Sequence, residues 1–342
     1  ESRAREAIAA AVRIAPDDPD VILHRGYFHY YENRDFTQAV RYFEQVAQLQ
    51  PNGAFWRFAL GTVQRRQGRW SEALMNLRRA TQLEPVNADF STVLISVFVA
   101  ARRFEELRME YERRAGLVAA PLVNRYWAAR THFFSGGSTQ EVESFFGSLT
   151  PQEASSVQGN RREWALDQGG SASVEQRGQW QQDQTATANT LVLSERAFFF
   201  ATKGDWERNR RWFSNAAATA RQKVKADPKD VATRRSLARA EALMGHKEEA
   251  IRCAREAIDL IPESLDRADG MQGAATLAFV YTWTGDKDRA IAEYARLLRT
   301  PGPHLSGVNV HIMRRHPQFA PLRSDARFEA LLNDPKNNAP LF

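Results

Sequence analysis

The chain has 342 residues, 43% of them hydrophobic and 26% charged, the balance of an ordinary globular chain. No uninterrupted apolar run approaches the ~20 residues of a membrane helix, and a single cysteine, Cys253, excludes an intramolecular disulfide. The net charge of +6 favours acidic partners in general terms and does not by itself establish nucleic-acid binding.

The N-terminal stretch ESRAREAIAAAVRIAP reads as an amphipathic helix without a signal-peptide pattern. Ala4, Ile8, Ala11 and Pro16 hold the positions of a second helix whose partner is missing, so the chain is expected to start in mid-repeat, as part of a longer protein. Pro19 to Pro51 is a full helical pair, with Gly26 at the small position of its first helix, Asn33 at the turn, and Ala39, Phe43 and Val46 along its second. The interval from Pro16 to Pro51 is 35 residues, which places one extra residue near Glu32–Asp35.

The clearest unit runs from Pro51 to Pro85. Leu60 and Gly61 sit in its first helix, Gly68 marks the break, and Ala73, Leu77 and Ala80 line one face of its second. Helices that cross closely need small residues at the approach and larger ones beside them. Gly61 is therefore expected to face Ala73, with Leu60 and Leu77 as fillers. Gly68 permits a turn conformation that costs other residues energy, and Pro85 cannot continue a helix. The next pair, Val86 to about Gly116, is degenerate: Ile95 takes the small position and Arg102 that of the turn glycine, while Phe98, Leu107 and Tyr111 keep helical spacing.

Pro121 to Leu149 is another pair. Tyr126, Trp127, Ala129 and Phe133 precede the break Ser135-Gly136-Gly137-Ser138, and Val142, Phe145 and Phe146 follow it. Residues 150–190 are rich in Gln, Ser, Gly and Thr. They read either as an atypical hairpin, with Trp164 and Leu166 before Gly169-Gly170 and Val174 and Trp180 after, or as a flexible linker; two tryptophans favour the hairpin. Helical order returns with Leu193, Ala197 and Phe200, a turn at Gly204-Asp205-Trp206, and a long helix through Phe213, Ala216 and Ala217 to near Ala226. Pro228 to Pro262 repeats the interval of 34 residues found from Pro51 to Pro85, with Leu237, Ala238, Gly245, Ala250, Ala254 and Ala257 in matching order. An insertion, Leu265–Gly270, precedes the last pair, which carries Leu277, Ala278, Tyr281, Gly285, Ala290 and Tyr294.

A 34-residue period with this order of small, aromatic and proline positions resembles the tetratricopeptide repeat. The resemblance implies an all-α fold, a right-handed superhelix (α-solenoid) of about eight helix-turn-helix hairpins with a non-repeat C-terminal cap. The expected divisions are an N-terminal array over residues 1–149, an atypical hairpin over 150–190, a C-terminal array over 191–302 and a capping segment over 303–342. In that last segment His316-Pro317, Phe319, Pro321-Leu322-Arg323, Asp325, Arg327-Phe328 and Leu331-Leu332 resemble the closing stretch after repeat arrays in bacterial multidomain signalling proteins. There the arrays follow serine/threonine kinase, winged-helix or cyclase-type domains. Independently, a terminal repeat exposes an apolar face, which Phe319, Leu322, Phe328 and Leu331 could cover.

No Gly-rich phosphate loop, His-Glu-x-x-His pattern, cysteine pair or Gly-x-Ser-x-Gly elbow is present, so no catalytic residue, metal site, cofactor or small-molecule substrate is assigned. His304, His311 and His316 are spaced by 7 and 5, which does not put all three on one helix face, and they read as capping or surface residues. Glu105-Glu106 and Glu248-Glu249 read as solvated helix faces, and Cys253 as a packing or surface residue.

The resemblance places recognition on the concave groove lined by first helices. It implies a partner-binding set of Tyr27, Tyr30, Tyr31, Phe55, Phe58, Arg65, Arg66, Tyr126, Arg130, Arg235 and Arg239. Aromatics with arginines suit a protein or peptide partner that is partly apolar and partly acidic. The chaperone-type carboxylate clamp is absent, because Leu23, Tyr27, Phe58 and Thr62 stand at its positions. The expectation is a non-catalytic protein-interaction scaffold in a bacterial regulatory protein, making no membrane contact of its own and placed in the cytoplasm, or outside it if a membrane helix lies upstream. One alternative is the sensor portion of a serine/threonine kinase whose catalytic domain lies outside this chain. Another is a helical-repeat RNA binder, disfavoured because the first-helix residues vary too much for a base-reading set.

Overall fold

The turns set the frame. Arg34, Gly68 and Arg102 follow one another at the repeat interval, and each has a positive φ (50°, 77° and 53°); Gly137, Gly245 and Gly285 do the same job further on (75°, 81° and 82°). A residue in the left-handed region ends one helix and lets the next fold back against it. The computed structural model describes residues 2–32, 34–117, 121–169 and 206–342.

The helices are α1 (Ser2–Ile14), α2 (Pro19–Glu32), α3 (Phe36–Leu49), α4 (Ala54–Arg66), α5 (Trp70–Leu83), α6 (Ala88–Ala101), α7 (Phe104–Ala115), α8 (Pro121–Gly136) and α9 (Gln140–Gly147). Two short ones follow, α10 (Pro151–Ser156) and α11 (Gln158–Asp167), and then α12 (Trp206–Ala226), α13 (Val231–Leu243), α14 (Lys247–Leu260), α15 (Arg267–Trp283) and α16 (Lys287–Leu297). The tail holds α17 (Val310–Arg315) and α18 (Ala326–Asn333), with 3-10 turns at Pro303–Ser306, Pro317–Leu322 and Pro335–Asn337. Among the described residues there is no strand, and no helix is long and apolar enough to cross a membrane. The fold is an all-α solenoid of stacked hairpins: α2/α3, α4/α5, α6/α7, α8/α9, α13/α14 and α15/α16 pair as antiparallel neighbours, and successive pairs pack on one another. Asn33, Gly170, Val174, Trp180, Leu193, Ala197, Phe200, Gly204 and Asp205 lie outside the described residues.

The close approach expected in the Pro51–Pro85 unit is present. A Cβ added at Gly61 would lie 2.6 Å from Leu77 Cγ and 3.1 Å from the Ala73 carbonyl oxygen. Ala73, Leu77 and Ala80 are fully buried beside it. Caps fix the entries. Asp35, Asp230 and Asp286 each accept a backbone N–H in the first turn of the helix they precede.

The array does not stay open. Its first helices face inward, and α4 touches α15 across the interior, α6 touches the Pro303–Ser306 turn, and α8 touches α17. The tail does cap the last pair, with Phe319, Leu322 and Phe328 buried and the Phe319 ring 5.3 Å from that of Tyr294. It then continues back to the N-terminal half, beyond what a cap requires. Asn309 Nδ2 and Asn338 Nδ2 donate to the Phe134 carbonyl (3.1 and 3.3 Å), the Leu341 N–H donates to the Ala101 carbonyl (3.0 Å), and Arg103 Nε donates to the Phe342 carbonyl (3.1 Å). One apolar cluster therefore joins α8, α9, α15, α16 and the tail, from Tyr126 and Phe133 through Met271 and Tyr294 to Met313 and Phe328. Arg102 sits at this seam, buried, and donates to the Leu298 and Ala339 carbonyls; burial pushes its guanidinium down to about 10.

Two predictions follow from packing and burial. Gly61→Val should lower unfolding stability by about 1–3 kcal/mol, because Leu77 can shift but the Ala73 backbone cannot; urea denaturation reads this. His304 is buried, with Nε2 2.9 Å from the Leu297 carbonyl, and burial pushes it down to about 4. The unfolded chain then takes up a proton below pH ~6.5 that the folded chain refuses, so stability falls as pH drops toward 4. His316 adds to this and Asp167, pushed up by burial against the pull of Arg130, opposes it. Comparison with His304→Gln isolates one residue: between pH 7 and 5 the native chain should lose about 2 kcal/mol more than the variant.

Candidate functional site: the inner face

Two features stand on the inward side of the first helices. The first is an aromatic edge on α2, α4 and α6. The rings of Tyr27 and Tyr31 stack at 6.2 Å, and Tyr27 also meets Phe43 edge-on at 5.2 Å. Phe58 stacks on the buried Phe90 at 4.5 Å, and Phe55 meets it edge-on at 5.3 Å. Tyr31 and Phe55 remain 71% and 54% exposed, so this edge presents two rings to solvent on a fixed apolar base. Burial raises the Tyr27 hydroxyl, and Tyr31 and Tyr30 raise it further. Burial likewise raises the Tyr31 hydroxyl, so Tyr27 and Tyr31 stay neutral at physiological pH.

The second is an ion-pair cluster that ties the two halves together. Arg34 follows α2, Arg66 ends α4, and both reach the start of α15. Arg66 Nη1 lies 2.8 Å from Asp266 Oδ2 and 2.9 Å from Asp269 Oδ2. Arg34 pairs with Asp266 and, at 3.0 Å, with Asp269. Arg235 Nη1 on α13 donates to the Asp269 carbonyl at 3.2 Å. The Asp266 carboxylate is fully buried, and its other oxygen accepts the Ala268 and Asp269 N–H groups (both 3.0 Å), capping α15. Cations at the C-terminal ends of α2 and α4 meet anions at the N-terminus of α15, so the helix dipoles add to the attraction. Burial alone would raise the Asp269 carboxyl, but Arg66 and Arg34 overcome it and hold the group below the usual carboxylate range.

The expected groove residues divide. Tyr27, Tyr31, Phe55 and Phe58 form the aromatic edge. Tyr30 is a correction: it is buried against Phe36, and its hydroxyl accepts from Arg66 Nε at 2.9 Å. Arg66 and Arg235 are engaged in the ion-pair cluster. Arg65 is half-buried and donates to Ser96 Oγ at 3.1 Å. Tyr126 and Arg130 are corrections too. Tyr126 is fully buried among Trp127, Phe145 and Phe146, and Arg130 is buried in ion pairs with Asp167 and Glu163. Both are core, because α11 and α17 pack against α8. Arg239 is half-buried with its guanidinium 5.3 Å from the Phe279 ring.

Residue-by-residue reading missed Arg34, Asp266 and Asp269. The signal was present: the insertion Leu265–Gly270 breaks the period and brings the Asp-x-x-Asp pair. Cys253 is buried and its thiol is pushed up to about 12 by burial, with Glu249 adding to the effect, so it is a packing residue and not a nucleophile.

The fold and inner face define a helical-hairpin solenoid. Residues 28–74 and 58–120 match the family described as tetratricopeptide repeat. Among solved structures the chain is similar to YrrB, described as a tetratricopeptide-repeat protein with an unusual peptide-binding site (13% identity, 79% of this chain and 96% of that chain, TM-score 0.32). It is also similar to a tetratricopeptide repeat protein from Parabacteroides merdae (13% identity, 86% and 98%, TM-score 0.37). A third is the C-terminal part of a repeat-containing protein from Cytophaga hutchinsonii (12% identity, 81% and 94%, TM-score 0.32). No curated protein matches the chain.

The cluster makes a coupling prediction. A double-mutant cycle of Arg66→Gln and Asp269→Asn should be non-additive by about 0.5–3 kcal/mol in unfolding free energy, because both changes remove one shared, partly buried contact. Additivity within error would show that the pair contributes no stability of its own.

Proposed function

We propose that the chain is a non-catalytic protein-interaction scaffold that takes a partner peptide on the aromatic edge of its inner face. The observation that carries this is the exposure of Tyr31 and Phe55 on successive first helices, Phe55 against the buried Phe90 and Tyr31 stacked on Tyr27, which meets the buried Phe43. Exposed rings on a fixed base are the usual anchors of a binding surface, since they supply area at little entropic cost. The neighbouring Arg65 and Arg66 favour a partner that combines apolar and acidic residues. Tetratricopeptide repeats over residues 28–120 support a scaffold role for this segment.

The resembling tail, from His316-Pro317 to Leu331-Leu332, supports a place in a larger bacterial regulatory protein. A serine/threonine kinase carrying this array as its sensor is the second reading. Sequence upstream of the chain decides between them: a kinase catalytic loop there supports the second, a winged-helix or cyclase-type domain the first.

The binding reading is tested with a labelled peptide of alternating Glu and Leu or Phe, followed by fluorescence anisotropy. Tyr31→Ala with Phe55→Ala should weaken binding at least tenfold, with helical content and melting temperature unchanged, because both rings are largely solvent-facing. Unchanged affinity in the double variant would remove the aromatic edge from the site.

A further inference from the structure

We propose that Arg34, Arg66 and Arg235 form a recognition site for a helical partner segment carrying two carboxylates three residues apart, and that Asp266 and Asp269 occupy this site in cis. The inference rests on the scaffold reading and names both the partner chemistry and the control of the same inner face.

Three observations carry it. First, the charges do not balance. Two guanidinium groups, from the turn after α2 and from α4, already satisfy the two carboxylates, and a third, that of Arg235 on α13, reaches only the Asp269 backbone carbonyl beside them. The half-buried Arg65 sits close enough to feel both Arg66 and Asp266. A structural ion pair alone would need no such excess, whereas a binding site for an acidic segment would have it. Second, the ligand geometry is already displayed. Asp266 and Asp269 lie on one side of the first turn of α15, at the spacing that places two side chains together on a helix, and one arginine, Arg66, grips both at 2.8 and 2.9 Å. Third, the carboxylates belong to the segment Leu265–Gly270 that the repeat period does not require, whereas Arg66 and Arg235 stand on regular repeat helices and Arg34 on the turn after α2. The inserted segment is thus an intramolecular stand-in for an acidic helix. It occupies arginines beside the aromatic edge, where Arg66 also donates to Tyr30.

Competition follows from this arrangement. A partner helix with the same pair of carboxylates gains the arginines only when Asp266 and Asp269 leave them, so the cis contact lowers apparent affinity and sets a threshold for binding. Weakening the cis contact should strengthen binding in trans.

The experiment compares the native chain with Asp266→Asn/Asp269→Asn. Asparagine keeps the N-cap acceptor of α15 while removing the charge. The probe is a fluorescein-labelled, alanine-rich helical peptide with two aspartates three residues apart, and its control carries asparagines there. The variant should bind the probe at least tenfold more tightly than the native chain, discriminate against the control, and lose the gain when Arg34→Gln and Arg66→Gln are added. No gain in affinity, equal binding of the control, or a gain that survives loss of both arginines would overturn the proposal. Asp269→Asn alone, which spares the cap entirely, serves if the double variant unfolds, with a smaller gain expected in the same direction. The aromatic-edge reading is tested separately: a gain that does not depend on Tyr31 and Phe55 leaves this site standing and removes that edge. Edge-dependent binding to the native chain with no gain in the variant does the reverse.

Discussion

The contact between the start of α15 and the ends of α2 and α4 is what the rest of the structure depends on. A stack of helical pairs has only nearest-neighbour interfaces, and nothing in those interfaces brings distant repeats together. Here Arg34 and Arg66 reach across more than half the chain to Asp266 and Asp269. Removing two carboxylates from water is costly, and the cost is offset only where hydrogen bonds satisfy the remaining lone pairs. Asp266 meets that condition, because the amides of its own helix take the oxygen that the arginines leave. The tail then seals what the ion pairs bring near, binding Ala101, Arg103 and Phe134 through backbone groups.

The closure decides which first-helix residues stay exposed and which become core. At the N-terminal end α2 and α4 keep an open edge, and Tyr31 and Phe55 stay in solvent. Further along, α11 and α17 lie against α8, and the same kind of residue becomes core. Tyr126 and Arg130 have the side-chain chemistry of groove residues and none of the exposure. The inner face is therefore two surfaces with different fates, one left open to solvent and one buried in the fold.

Local order was legible in the sequence because it is enforced locally. Gly61 against Leu77, Gly68 and Gly245 at positive φ, and the proline boundaries all follow from steric rules that act within one hairpin. Arg102 in the place of a turn glycine was also readable, and it does take the left-handed conformation. Contacts between remote repeats left no such trace. Arg130 is expected in the groove because nothing in its own helix reveals that Glu163 and Asp167 will pair with it. Asp266 and Asp269 appeared only as an interruption of the period. A residue that departs from a repeat is free of the constraints that define the repeat, and here it serves the global shape instead.

The seam at Arg102 has a consequence for how the chain can vary in size. Open solenoids tolerate gain or loss of whole modules, because each added one simply lengthens the spiral. In this molecule one more hairpin inserted between Arg102 and Asp266 would carry the aspartates a full step past their arginines and pull Leu341 away from Ala101. The number of modules between those points is thus fixed by geometry, much as the staves of a barrel are fixed by its hoop.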